Sequence, residues 1–189
     1  YQLGGDVFSL LELEQCIIRA GLCAPNRAQT KIRRKISTKI RSNFVRSWKQ
    51  PASKYSFALT SVTDNRINFA LNSGSTSNLG HVPVFRVKTL DAQLQRVAEE
   101  YCQSRCQVRR EPDRLVMVVS EAFRWYRADF CSGDDESETA DENQELFQAI
   151  IGLRGWDEAD VEAVELAGFK TKMKFAAFQL NFRLLELKR

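Results

Sequence analysis

The sequence predicts an α+β fold of mixed α/β type, a single domain over residues 1–189 with a central mixed sheet flanked by helices. Three observations lead there. Apolar residues recur at helical spacing in several stretches and at a spacing of two in others. The two kinds of stretch are interspersed along the chain, with no internal repeat. Hydrophobic residues make up 43% of the 189 positions, which suffices for one core.

In chain order, Tyr1–Leu3 reads as the end of a strand and Gly4-Gly5 as a turn. Ser9-Leu10-Leu11-Glu12 fits a capping box, in which hydroxyl and carboxylate each satisfy the other residue's backbone donor. A helix to about Ala20 follows, with Leu10, Leu13 and Ile17 on one face and Gly21 as its stop. Ile32, Ile36, Ile40, Phe44 and Trp48 recur every four residues, predicting a long basic amphipathic helix over residues 28–50 that Pro51 ends. INFALN (67–72) and VPVFRVK (82–88) read as buried strands, the second with both faces covered. Between them SGSTSN (73–78) is a small-residue loop. Leu90, Leu94, Val97, Ala98 and Tyr101 define an amphipathic helix over 89–105, and Arg109-Arg110 falls at a turn. RLVMVVS (114–120) is a strand, and Ser120 caps a short helix whose Phe123, Tyr126 and Phe130 share a face. Residues 132–145 form an acidic flexible loop. Helices follow through Leu146, Phe147 and Ile150 and from Trp156 to Gly168. Phe178, Leu180, Phe182 and Leu184 alternate with polar residues as a half-buried strand. One hydrophobic cluster of Phe69, Leu71, Val84, Val87, Val116, Val118, Phe123 and Tyr126 follows from this layout, with 67–72 and 114–119 in one sheet.

The formal net charge of +4 hides a strong asymmetry. Residues 15–63 hold eleven Lys and Arg and no acid, while the rest of the chain carries seventeen basic and twenty-four acidic groups. Twelve of those acids fall within 131–169 against the single base Arg154. The basic stretch displays Lys31, Arg34, Lys35, Lys39, Arg41 and Arg46, the candidate partner-binding residues. The plain reading is a solvated face over a docked apolar ridge. The sharper one is a surface for an anionic partner: an acidic protein or assembly subunit first, nucleic acid second because no reading motif accompanies the charge, a membrane surface last. Amphipathicity and length also suit a helix that lies in a partner's groove.

Five cysteines, Cys16, Cys23, Cys102, Cys106 and Cys131, give an odd count with no CxxC pair. That argues against a disulfide framework and against a zinc site, and free thiols suit an intracellular compartment. No apolar run approaches the roughly 20 residues of a membrane span. No cofactor, metal or small-molecule ligand is expected. His81 is the only histidine. A Ser or Cys nucleophile needs a base within about 3 Å, so His81 with Ser73 or a cysteine is the one catalytic pairing available to an imidazole. A solvent-exposed or loop-bracing histidine is the plainer reading. The 73–78 loop lacks the Gly-Lys-Ser/Thr ending of a phosphate-binding loop. Arg124-Trp125-Tyr126-Arg127 interleaves bases with aromatics, but its aromatic face belongs to the core.

Four segments together resemble the family called domain of unknown function 547: FSLLELEQCIIRAG (8–21), TDNRINFALNSGS (63–75) running into VPVFRVKTLDAQL (82–94), LVMVVSEAFRWYRADF (115–130) and KTKMKFAAFQLNFR (170–183). The resemblance extends over nearly the whole chain and implies that it is the larger, C-terminal part of such a domain, since family members usually continue N-terminally into a helix with a Trp-Asn-Tyr-Asn type motif. It also implies a lost polar signature. Gln15 and Asn68 stand where the family usually has histidines, Ser73 where a strand usually ends in Asn-Cys-Gly, and Asn78-Leu79-Gly80 where Cys-Pro-Pro is usual. Gln15, Asn68, Ser73 and His81 are therefore the candidate remnant site. The expected function is a non-catalytic interaction or scaffold domain of a larger, eukaryotic intracellular assembly. The alternative is a thiol or serine hydrolase of cysteine-protease or transglutaminase type, and a further alternative is nucleic-acid binding through the basic helix.

Overall fold

The computed structural model describes residues 1–23, 54–72, 75, 77–112, 114–131, 140–155 and 171–176. Strands β1 (Gln2–Leu3) and β2 (Asp6–Val7) pair antiparallel around Gly4, whose φ of 62° only glycine adopts without strain. Ser9 then caps α1 (Leu10–Glu12): the Glu12 N–H donates to Ser9 Oγ at 3.2 Å and the Ser9 N–H to Glu12 Oε2 at 2.6 Å, so the capping box forms as the spacing predicts. The helix does not stay α. From Leu13 to Ile18 it widens to a π-helix, with the Arg19 N–H reaching back five residues to the Glu14 carbonyl at 2.9 Å. The wider turn changes which face is buried. Gln15, Cys16, Ile17, Arg19 and Ala20 point inward, while Leu10 is 62% exposed rather than part of the expected apolar stripe.

After α1 and its π-extension come α2 (Ile67–Ala70), a 3-10 turn (Val87–Thr89), α3 (Leu90–Arg105), β3 (Gln107–Glu111), β4 (Arg114–Ser120), α4 (Ala122–Trp125), a second 3-10 turn (Arg127–Asp129), α5 (Ala140–Arg154) and β5 (Thr171–Ala176). The main sheet has the order β3-β4-β5, with β3 antiparallel and β5 parallel to β4, so it is mixed as expected and the fold is α+β. Central β4 buries Val116, Met117 and Val119, which explains its unbroken apolar run. Helix α3 contributes Leu94, Val97, Ala98, Tyr101 and Cys102 to the core, and α5 contributes Leu146, Phe147, Ile150 and Leu153. Between them stand four aromatic rings. Phe69 lies 4.8 Å from Tyr101 and 5.2 Å from Phe123, and Phe123 lies 5.4 Å from Phe130. The Tyr101 hydroxyl donates to Ser120 Oγ at 2.9 Å, and the same oxygen accepts the Ala122 N–H, so Ser120 satisfies the buried phenol and one N–H of α4, although the N-cap position is Glu121 and not Ser120 as expected. Gly155, at φ 61°, provides the left-handed residue just past α5.

Several expectations need correction. INFALN is a turn of helix, not a strand. Asp64 accepts the N–H of Arg66, the residue at the start of the turn, at 3.0 Å, and a short apolar run cannot by itself tell strand from buried helix. It therefore shares no sheet with 114–120. Residues 82–86 join no strand, and Val84 and Val87 are 79% and 95% exposed, outside the core. Val116 is buried and Leu71 and Val118 partly so, but the cluster around Phe69 and Phe123 includes none of the three, while Tyr126 packs on its margin. Arg109-Arg110 lies within β3 rather than at a turn, an edge strand whose charges conceal its alternation. The acidic stretch is helical from Ala140, so its last six residues belong to α5. The basic segment 28–50, the 156–168 helix and the 178–184 strand lie outside the described residues, and the C-terminal strand described is Thr171–Ala176.

A smaller cluster of Phe8, Cys16, Ile17 and Tyr55 backs α1. Beside it Glu12 accepts from Lys54 Nζ at 2.8 Å and from the Tyr55 hydroxyl at 2.6 Å. Those two bonds hold the Glu12 carboxyl down at about 2, from an ordinary 4.5. Two outcomes follow. Phe123→Ala, at a position with no solvent exposure, costs about 3–5 kcal/mol in chemical denaturation; a loss under 1 kcal/mol would contradict the aromatic core. Because the folded-state value of Glu12 is depressed, its contribution to stability is complete above pH ~4.5 and fades as pH falls toward 2. Glu12→Gln therefore flattens the acid limb of the stability profile in that window, and an unchanged limb would contradict the bonding.

Candidate functional site

The π-turn and the two helical turns at 67–70 and 127–129 converge on one buried polar hub. Arg19 and Asp129 form an ion pair at 3.1 Å with side chains 0% and 1% exposed. Arg19 Nη2 also donates to the Cys23 carbonyl at 3.0 Å, and its guanidinium lies 4.1 Å above the centre of the Tyr126 ring. Asp129 Oδ2 accepts a second bond from Asn68 Nδ2 at 2.9 Å, and Oδ1 accepts the Cys23 N–H at 2.6 Å. Asn65 Nδ2 reaches the Asp129 carbonyl at 3.4 Å. One carboxylate thus ties the first helix and the loop after it to α2. Gly21 makes room for this junction: the Leu59 N–H donates to the Ile17 carbonyl at 3.0 Å, and a Cβ at position 21 would stand 2.9 Å from the Leu59 and Thr60 carbonyls and collide with that of Val62.

Of the three remnant-site candidates among the described residues, only Asn68 joins this hub. Gln15 is buried, and its Nε2 donates at 2.5 Å to the neighbouring Glu14 instead. Its Oε1 and Asn68 Oδ1 are buried atoms without a hydrogen-bond partner. Ser73 lies outside the described residues. His81 sits on the surface, 54% exposed, with Nδ1 3.6 Å from Glu100 Oε1, and among the described residues no serine or cysteine hydrogen-bonds to it. Its carbonyl, together with that of Leu79, accepts from Asn72 Nδ2, so the residue braces the loop as the plainer reading has it. The candidate partner-binding residues Lys31, Arg34, Lys35, Lys39, Arg41 and Arg46 also lie outside the described residues. Among the described residues no group of three or more potential metal ligands occurs, and no helix is long and apolar enough to cross a membrane.

The chemistry open to the hub is narrow. Both carboxylate oxygens of Asp129 are engaged and enclosed, and an amide neither gives nor takes a proton near neutral pH. A general base needs a lone pair within reach of a substrate proton. Asp129, the organising residue, was missed by sequence reasoning. The available signal was its position as the only acid in the aromatic and basic stretch 122–130, matched by Arg19 as the only charge in 15–26.

Removing one member of a buried pair strands the other charge, which is far worse than removing both. Asp129→Asn is expected to cost about 3–5 kcal/mol in urea denaturation, and Arg19→Met combined with Asp129→Leu to recover most of that loss. Equal losses in the single and double variants would show the pair to be uncoupled.

A family model described as Protein of unknown function, DUF547, matches residues 1–102. The match takes in the segments at 8–21 and 63–94, whereas those at 115–130 and 170–183 lie beyond it. No curated protein and no solved structure matches the chain. The hub therefore crosses the edge of the matched region, with Arg19 and Asn68 inside it and Asp129 outside. By a match over more than half its length, this chain belongs to the family of proteins of unknown function DUF547.

Proposed function

We propose that this domain is a non-catalytic protein-interaction or scaffold unit of an intracellular assembly. The observation that carries the proposal is the bonding of Asn68. Where the resemblance expects a histidine, an amide cross-links a buried Arg19–Asp129 ion pair, which is a structural use of the position. Gln15, at the other expected histidine, is likewise a buried amide. His81 stands at the surface beside Glu100. Five free thiols favour a reducing compartment. The basic stretch, through Lys31, Arg34, Lys35, Lys39, Arg41 and Arg46, supplies the charge for an acidic protein surface, and attraction of that kind weakens as salt rises.

Reactive-probe labelling tests this reading. With iodoacetamide and a fluorophosphonate, folded chain is expected to label slowly at Cys23, which is exposed, and at no serine. Cys16, Cys102 and Cys106 are buried and should label only after denaturation. A hydrogen bond that the Cys102 thiol shares with Cys106, together with burial, pushes that thiol far above its usual range, which reinforces its inertness. Fast stoichiometric labelling of one Ser or Cys in the folded state alone, abolished by His81→Ala, would establish a working hydrolase instead.

A further inference from the structure

The segment Val82–Arg86 has the habits of a strand and no strand beside it. Exposure alternates along it: Val82 and Val84 face outward at 60% and 79% exposure, while Pro83 and Phe85 turn in and Phe85 packs against the core. Gln93, one turn inside α3, bonds the inner edge as a neighbouring strand would. Its Nε2 donates to the Val84 carbonyl at 2.9 Å, and its Oε1 accepts the Arg86 N–H at 2.7 Å. In an extended chain residues two apart bond toward the same edge. The other edge therefore belongs to Pro83 and Phe85. Among the described residues, the Phe85 N–H and carbonyl and the Pro83 carbonyl form no hydrogen bond. Pro83 lacks an N–H, yet Phe85 still offers the donor and acceptor of one complete ladder pair. Along the segment and α3 lies a groove of about 340 Å³, floored by Val97 and rimmed by His81, Arg96 and Glu100.

Charge selects the occupant. Arg86 and Lys88, at the end of the segment, are exposed and form no ion pair with any described residue, while the groove lining sets Arg96 against Glu100. A second copy paired edge to edge would bring these cations together. An extended peptide carrying carboxylates beside apolar side chains would neutralise them while covering the valines. We infer that the free edge of Val82–Arg86 receives an extended acidic–apolar peptide segment of another protein, added as a strand against Phe85 on the side away from α3. The inference rests on the reading of the domain as an interaction unit and places a second surface on it, separate from the basic stretch.

The test is fluorescence anisotropy of the full chain with labelled decapeptides. One alternates Val and Glu, a second alternates Val and Lys, and a third is the first with alternate backbone nitrogens methylated. The Val/Glu peptide should bind. Val84→Asp and Arg86→Glu, both at exposed positions and checked by circular dichroism, should each weaken it at least tenfold. Backbone methylation should weaken it similarly, because a ladder bond is lost, and the Val/Lys peptide should not bind. Failure of the Val/Glu peptide to bind, or binding indifferent to both variants, overturns the inference. Loss of binding in Lys31→Glu/Lys35→Glu with Val84→Asp silent also overturns it, but leaves the interaction reading standing on the basic stretch. Dimerisation of the free chain that Val84→Asp abolishes would assign the edge to a second copy and likewise overturn it.

Discussion

The enclosed pairing of Arg19 with Asp129 constrains everything around it. Moving two charges out of water costs several kcal/mol for each, and only close contact with further hydrogen bonds offsets that loss. The surroundings are built accordingly. Asn68 and the Cys23 amide add bonds to the carboxylate and the Cys23 carbonyl adds one to Arg19 Nη2, at 2.6–3.0 Å, and Tyr126 covers the guanidinium. Helix geometry yields to the same demand: the turn from Leu13 to Ile18 widens so that residues 15–17, 19 and 20 all face inward.

Side chains elsewhere stand in for missing backbone partners. Gln93 bonds residues 84 and 86 as a strand would, Asn72 does so for the carbonyls of Leu79 and His81, and Ser120 serves a phenol and a helix start together. A sheet of three described strands can thus support long irregular stretches, because their polar groups are met by amides and hydroxyls reaching from α3, β4 and nearby loops.

How much of this was legible in the sequence depends on the range of the interaction. The capping box at Ser9, the α3 stripe and the β4 run depend on neighbours within a few residues, and each forms where its spacing indicates. INFALN and VPVFRVK misled because a short apolar run says that something is buried, not which backbone buries it. The bonds that hold their backbones include ones to Asp64 and Gln93, polar residues outside the runs. The hub was hidden for a stronger reason. Arg19 and Asp129 are 110 positions apart, and neither belongs to a recognised motif. The family resemblance pointed to Asn68 as a departure from pattern, but only the fold shows that the amide acts as a cross-link.

That separation of 110 positions has a consequence during synthesis. A ribosome delivers Arg19 long before Asp129, and contacts between distant residues form slowly because a long loop must close first. Until the aromatic stretch at 123–130 has cleared the exit tunnel, the first half of the chain holds a guanidinium that it cannot enclose and lacks Phe123 and Phe130 to stack on Phe69. The nascent amino-terminal half therefore leaves that surface uncovered, and a stop codon ahead of residue 129 would remove the acid of the ion pair and the Phe130 ring together.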